Sequence, residues 1–274
     1  MTEMELIEGL AVYRRDPIGA APEALLAGLP GRPGLPVVFV HGAMDRGASF
    51  VKSVRLLPEL EVIRYDRRGY GRSASAGVAD TVDSHVRDLV GVTAGRPAIV
   101  VGHSFGAVLA MIAGARFPDL FVAVAAYEPP APWESWWSEG SAGAAAVLAA
   151  EEEGPGAAAE RFMRRVVGDR LWDSLPATTQ DARRAEGSAL VAELAALRGL
   201  PAIPFDPAAL HARLVLGCGE LTDDRHRRAV ETLAGATAAG VEVIAGAGHG
   251  AHASHPTEFA HLVRSAVALA STHV

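Results

Sequence analysis

Short apolar, β-branched runs alternate along this chain with longer stretches whose apolar positions recur every three or four residues. That alternation predicts a mostly parallel sheet covered by helices on both faces. Pro36 to Val40 reads as a buried strand ending at His41-Gly42, and Glu61 to Tyr65 as a second, ending at Asp66-Arg67-Arg68-Gly69. Thr81 to Ala94 places Val82, Val86, Leu89 and Val90 on one helical face, with Gly95 as the stop. Ala98 to Val101 is a third strand, followed by a small-residue helix from Ala107 to Arg116 and a strand from Phe121 to Tyr127. The sheet pattern returns with a strand from Arg213 to Leu216, a helix from Asp224 to Ala239, a strand from Val241 to Ala245 and a closing helix from Pro256 to Leu269.

Between these two blocks the pattern changes. Trp133, Trp136 and Trp137 cluster after Pro132, and alanine-rich helical stretches follow, broken at Gly154-Pro155-Gly156. Further helices are expected from Ala157 to Val167 and from Thr178 to Leu197, with no strand signal before Pro207. The expected organisation is an α/β core domain formed by 1–131 and 207–274, with a helical insertion at 132–206.

Composition narrows the function classes. The chain has 274 residues, half of them hydrophobic, which suits a packed α/β domain and argues against general disorder. A formal net charge of -7 argues against nucleic acid, which requires a basic face. The single cysteine, Cys218, leaves no intrachain disulfide and no cysteine metal cluster. Glu3, Glu5 and Glu8 near the start do not fit a secretory leader, and no apolar run reaches membrane-helix length. The expectation is a cytoplasmic protein, monomer or homodimer, acting on a small molecule without membrane insertion.

One motif carries chemistry. Gly102-His103-Ser104-Phe105-Gly106 is a Gly-x-Ser-x-Gly pattern, which in a chain with 29 glycines is weak by itself. Its setting between an expected strand and an expected helix gives it weight, because a sharp turn there projects the serine hydroxyl clear of the backbone. His249 follows a strand and Gly246-Ala247-Gly248, as a base on a loop over the sheet edge would.

With these residues the chain resembles the α/β-hydrolase superfamily over most of Val37 to Tyr127 and Arg213 to Leu269. The segment Asp66-Arg67-Arg68-Gly69-Tyr70-Gly71-Arg72-Ser73 resembles that family's turn after the fourth strand. The resemblance implies Ser104 as nucleophile, His249 as general base, the N–H groups of Ala43 and Phe105 as oxyanion donors, and 132–206 as the variable lid. It implies no cofactor.

The acid of the triad is the open question. In most of the family it sits in a Gly-Glu-x-Asp segment, but here Gly219-Glu220-Leu221-Thr222-Asp223 has threonine where aspartate is expected. Some branches place the acid after the next strand beyond the nucleophile helix, where this chain has Glu128 fixed by Pro129-Pro130. Glu128 is therefore the preferred acid, with Asp223 the alternative and Glu220 behind it; Asp224 reads as a helix cap. His41 reads as structural and His103 as packing or polar support. His252, His255 and His261 are expected beyond the site, and no metal site is expected.

A serine at the turn disfavours the epoxide-opening and halide-displacing relatives, which use aspartate there. The expected activity is hydrolysis of a small, partly apolar ester or thioester through an acyl-enzyme. Trp133, Trp136, Trp137 and Met163, with Phe162 and Trp172, are candidates for an apolar pocket, one or two of them at the substrate. Carbon–carbon bond hydrolysis or perhydrolysis with the same triad is the alternative chemistry. A non-catalytic ligand-binding protein of the same fold is the alternative class.

Overall fold

A computed structural model of the chain describes residues 2–18, 34–137, 140–200 and 202–272. Its centre is an eight-stranded sheet in the order β1-β2-β4-β3-β5-β6-β7-β8. The strands are β1 (Thr2–Ile7), β2 (Leu10–Arg15), β3 (Val37–Val40), β4 (Val62–Tyr65), β5 (Ala98–His103), β6 (Phe121–Tyr127), β7 (Leu214–Gly219) and β8 (Gly240–Ile244). The β1–β2 and β2–β4 pairings are antiparallel, and all others are parallel.

Why the central strands read as unbroken apolar runs follows from their pleat. On β3, Val38 and Val40 join one buried cluster with Val100, Val124 and Leu216, while Val37 and Phe39 join the other with Ile99, Val101 and Ala125. Both faces are therefore covered. Helices α2 (Val82–Val92), α3 (Phe105–Arg116) and α9 (Asp224–Thr237) pack on the first face, and α1 (Val51–Arg55) and α11 (Pro256–Thr272) on the second. α3 is buried all round from Phe105 to Gly114, which explains its small, apolar composition.

Between β6 and β7 the described residues hold five α-helices, a short 3-10 helix at Pro207–Leu210 and no strand: α4 (Ala142–Glu153), α5 (Pro155–Val167), α6 (Asp169–Ser174), α7 (Ala177–Ala185) and α8 (Gly187–Arg198). They close over their own small core of Trp172, Met163, Leu190 and alanines, which Met44 and Tyr70 join from the sheet domain. A short α10 (Ala251–Ser254) precedes α11. No described helix is long and apolar enough to cross a membrane.

The structure departs from the sequence reading in three places. The stretch Thr178 to Leu197, expected as one helix, breaks at Glu186 because Gly187 sits against α5. A Cβ on Gly187 would lie 1.9 Å from the carbonyl oxygen of Pro155. Asp223, not Asp224, caps α9, its carboxylate accepting the N–H of His226. The β1–β2 hairpin was not expected at all; β1 is an edge strand almost wholly exposed, paired only with β2.

Topology locates the site. From β3 the chain steps outward to β4 and then crosses back to β5 on the other side of β3. The crevice at the C-terminal ends of β3 and β5 is thus the switch point, where open α/β sheets bind ligands.

Candidate active site

Ser104 sits between β5 and α3 with φ 55 and ψ -123, a conformation side chains rarely adopt, at a cost of order 1–3 kcal/mol. The surrounding turn enforces it. A Cβ on Gly102 would lie 2.2 Å from the Gly106 carbonyl oxygen, and one on Gly106 would lie 2.2 Å from that of Val40. Both glycines are needed for strand and helix to approach this closely. The Ser104 N–H donates to Tyr127 at 2.9 Å, tying the turn to the end of β6.

The residue that follows the end of β6 is Glu128, also with positive φ (46) and with no solvent exposure. A buried carboxylate is costly unless satisfied, and both oxygens are. Oε1 accepts the Gly219 N–H at 2.8 Å, and Oε2 lies 2.7 Å from Nδ1 of His249. Burial alone would raise the Glu128 pKa; the hydrogen bond and charge of His249, with the Gly219 N–H, outweigh it and hold the group below the usual range. In the neutral imidazole, an ionised Glu128 places the proton of His249 on Nδ1 and leaves Nε2 with its lone pair. Tyr127 and His103 brace the histidine loop, through Tyr127 OH to the Gly248 carbonyl (2.8 Å) and His103 Nε2 to the His249 carbonyl (2.9 Å). Ser104 and His249 line one cavity.

The other acids are engaged elsewhere. Asp223 is half-exposed and holds Nδ1 of His226 at 2.9 Å in addition to capping α9. The hydrogen bond from His226 is the largest of the causes that lower its pKa. Glu220 accepts the Gly246 N–H at 2.8 Å, and Asp224 is the first residue of α9. Thr222, in the position where aspartate was expected, lines the cavity.

His226 was not singled out from the sequence. Its ring lies 4.5 Å from that of His249, centroid to centroid, and it too lines the cavity. The Asp223-x-x-His226 spacing, a helix cap plus a side-chain partner, was the available signal. His41 is fully buried, its Nε2 accepting the Arg67 N–H and its Nδ1 donating to the Gly42 carbonyl, both at 2.8 Å; burial pushes its pKa down to about 3. His252 is buried, 3.4 Å from Asp45, while His255 contacts Ser254 and His261 is exposed. Two groups of described residues bring possible metal donors within 4.8 Å of one another: Asp45, His103 and His252, and Glu128, His226 and His249.

Ala43 and Phe105 also line the cavity, and neither backbone N–H has a hydrogen-bond partner among the described residues. Phe105 opens α3, so the positive end of that helix faces the same space.

The cavity measures about 680 Å³, within the range of small-molecule sites. Pro130, Pro132, Trp137, Phe162, Leu194 and Leu197 give it an apolar wall. Of the other aromatic and methionine candidates, Trp133 packs against the main core, Trp136 lies under the Arg228 guanidinium at 4.4 Å, and Met163 and Trp172 are buried within the helical segment. Trp137 alone among the four primary pocket candidates reaches the cavity wall.

Comparison with known proteins agrees with this arrangement of the sheet. The lipase LipV of Mycobacterium tuberculosis is 33% identical over 96 residues, covering 34% of this chain and 36% of that protein. The 2-(acetamidomethylene)succinate hydrolase of Mesorhizobium japonicum is 32% identical over 96 residues, covering 34% of each. The matches thus span about a third of these relatives' lengths. The crystal structure of an enol-lactonase from Burkholderia xenovorans superposes with a TM-score of 0.69 at 19% identity, covering 97% of this chain and 100% of that one, a likeness of fold. A family model described as the alpha/beta hydrolase family matches residues 37–262, and the chain belongs to that family.

Proposed function

We propose that this member of the family is a serine hydrolase that cleaves a small, partly apolar carboxylic ester or thioester through an acyl-enzyme. The observation that carries the reading is the 2.7 Å contact of buried Glu128 with Nδ1 of His249, in a cavity shared with Ser104. On this reading Nε2 of His249 takes the Ser104 proton as Oγ attacks the substrate carbonyl carbon. Negative charge then develops on the carbonyl oxygen, and the unpartnered N–H groups of Ala43 and Phe105 receive it. Collapse expels the alcohol or thiol, which takes the proton from His249. Water, activated by the same histidine, then releases the acid and restores Ser104.

The helices between β6 and β7 act as the lid. Phe162, Leu194 and Leu197 come from them, and their apolar surface favours an acyl group of modest length over a polymer. A serine at the turn supports acyl chemistry over the ring opening that an aspartate nucleophile performs.

The test is labelling with a fluorophosphonate probe combined with hydrolysis of short p-nitrophenyl esters. Labelling confined to Ser104, abolished in Ser104→Ala together with turnover, is the expected result. A folded wild-type protein that is neither labelled nor active would overturn the reading in favour of a binding protein.

A further inference from the structure

The N–H of Ala43 belongs to the same peptide unit as the carbonyl of Gly42, and the chain has no cis peptide among its described residues. In a trans peptide these two groups point in opposite directions, so whatever holds the carbonyl aims the N–H. The Gly42 carbonyl is held twice, by Nδ1 of His41 at 2.8 Å and by Nη2 of Arg67 at 2.8 Å. Arg67 also donates from Nε to the His41 carbonyl at 2.9 Å, which fixes the preceding peptide. Its guanidinium carbon lies 4.8 Å from the ring centre of Phe105, the residue that supplies the other unpartnered N–H.

The last donor of the fork reaches a different part of the molecule. Nη1 of Arg67 meets Oε2 of Glu193, on α8, at 2.7 Å, and both side chains are essentially without solvent exposure. Oε1 of Glu193 accepts Tyr70 OH at 2.5 Å, so the carboxylate is fully occupied. Burial disfavours the charge on Arg67, yet Glu193, with Tyr70 and Tyr65, outweighs it and the arginine pKa is raised. A pair this deeply buried adds little net stability over an apolar pair of the same size. Its value lies in the geometry that it imposes: a planar fork with three fixed bonds can hold one orientation only.

We propose that Arg67 is a positioning residue for the oxyanion donor of Ala43, and that Glu193 couples this donor to the seating of α8. The inference rests on the serine-hydrolase reading above. With Glu193 in place, the Gly42–Ala43 peptide is locked with its N–H pointing away from Arg67 and His41. With α8 displaced, the guanidinium loses its anchor and the donor loses its aim. Neither Arg67 nor Glu193 touches the reacting atoms in this scheme; both act through the peptide.

The experiment uses the double variant Arg67→Met/Glu193→Gln, which removes both charges together and keeps an acceptor for Tyr70, with Arg67→Lys beside it. Folding is checked by near-ultraviolet circular dichroism. Readouts are kcat and KM for p-nitrophenyl acetate and Ki for a trifluoromethyl ketone, whose adduct with Ser104 carries the oxyanion. Expected is a fall in kcat of roughly 10²-fold at nearly constant KM, with the ketone weakened in proportion. Arg67→Lys, which keeps the charge but not the fork, is expected to lose nearly as much. A folded variant with unchanged kcat, or one whose loss lies in KM with ketone affinity intact, overturns the positioning role alone. Should the double variant fail to fold, Arg67→Lys is judged by the same criteria. A wild-type protein that neither hydrolyses the ester nor binds the ketone overturns the hydrolase reading, and the inference falls with it.

Discussion

Glu128 and Ser104 leave neighbouring parallel strands at the same edge of the sheet, and the Tyr127 carbonyl that precedes Glu128 accepts the Ser104 N–H at 2.9 Å. The two residues are thereby fixed to one another through the backbone, both at positive φ. His249, from a distant loop, completes the set by bonding Glu128.

On the proposed assignment, Glu128→Gln reverses the hydrogen bond at Nδ1 of His249. The amide donates where the carboxylate accepted, so the imidazole carries its proton on Nε2 and can no longer take one from Ser104. A loss in kcat of roughly 10³–10⁴ is expected, as for acid-to-amide changes in other triads, while Asp223→Asn stays within about tenfold of the wild type. Steady-state kinetics on both variants decide it, and the reverse ranking would transfer the role to Asp223.

Strain at Ser104 has a stability signature. Glycine tolerates φ 55 and ψ -123 where serine and alanine do not. Ser104→Gly is expected to stabilise the fold by about 1 kcal/mol, raising Tm by roughly 2–4 °C for a chain of this size. Ser104→Ala, with its Cβ retained, is expected to leave Tm near that of the wild type. The two variants can be compared with the wild type by differential scanning fluorimetry, and equal Tm values would argue against strain.

The tryptophans separate into a wall residue and a core residue. On the proposed hydrolase reading, Trp137→Ala enlarges the cavity and is expected to shift the kcat/KM ratio toward longer acyl chains by roughly tenfold, with little change in Tm. Trp172→Ala empties a fully buried site between Arg164 and Arg184 and is expected to cost about 3–5 kcal/mol. Acyl-chain profiles and denaturant titrations test the pair.

Acid sensitivity should set in early. Burial pushes the pKa of His41 down to about 3 and holds those of His85 and His103 well below the usual imidazole value. Above about pH 6.5 these groups are neutral in both states and cost nothing. As pH falls from there, the unfolded chain takes up protons that the folded chain refuses, so stability declines. Three such groups give a slope approaching about 4 kcal/mol per pH unit. Below the ordinary carboxylate range, depressed Glu128 and Asp223 add a further loss in the same direction. Denaturant midpoints measured from pH 8 to pH 5 should fall steeply; a flat profile would contradict the account.

Much of this was legible in the sequence because it is local. The β5–Ser104–α3 turn announces itself through flanking glycines, and Glu128 through the two prolines after an apolar strand. Features made by tertiary approach were not legible. The helix break at Gly187 exists only because α5 lies against it, and Arg67 and Glu193 meet across 126 positions of chain. The edge strand β1 escaped for the opposite reason: Met4 and Leu6 alternate with Glu3 and Glu5 but stay exposed, and only Ile7 at its end packs against the core. Pocket residues were half legible, since aromatic content marks the segment but not which ring turns inward.

Glu128 bonds both His249 and the Gly219 N–H, so the end of β7 contributes a backbone group to the carboxylate. On the proposed assignment, the loop beyond it and the first turn of α9 carry no catalytic side chain. Leu221, Thr222, Asp223, Arg225 and His226 all line the cavity, and under the proposed assignment none of them need be retained for turnover. Selection can then vary this segment for substrate preference without passing through inactive intermediates. It is accordingly the segment in which diversification among homologous proteins that keep Glu128 should concentrate.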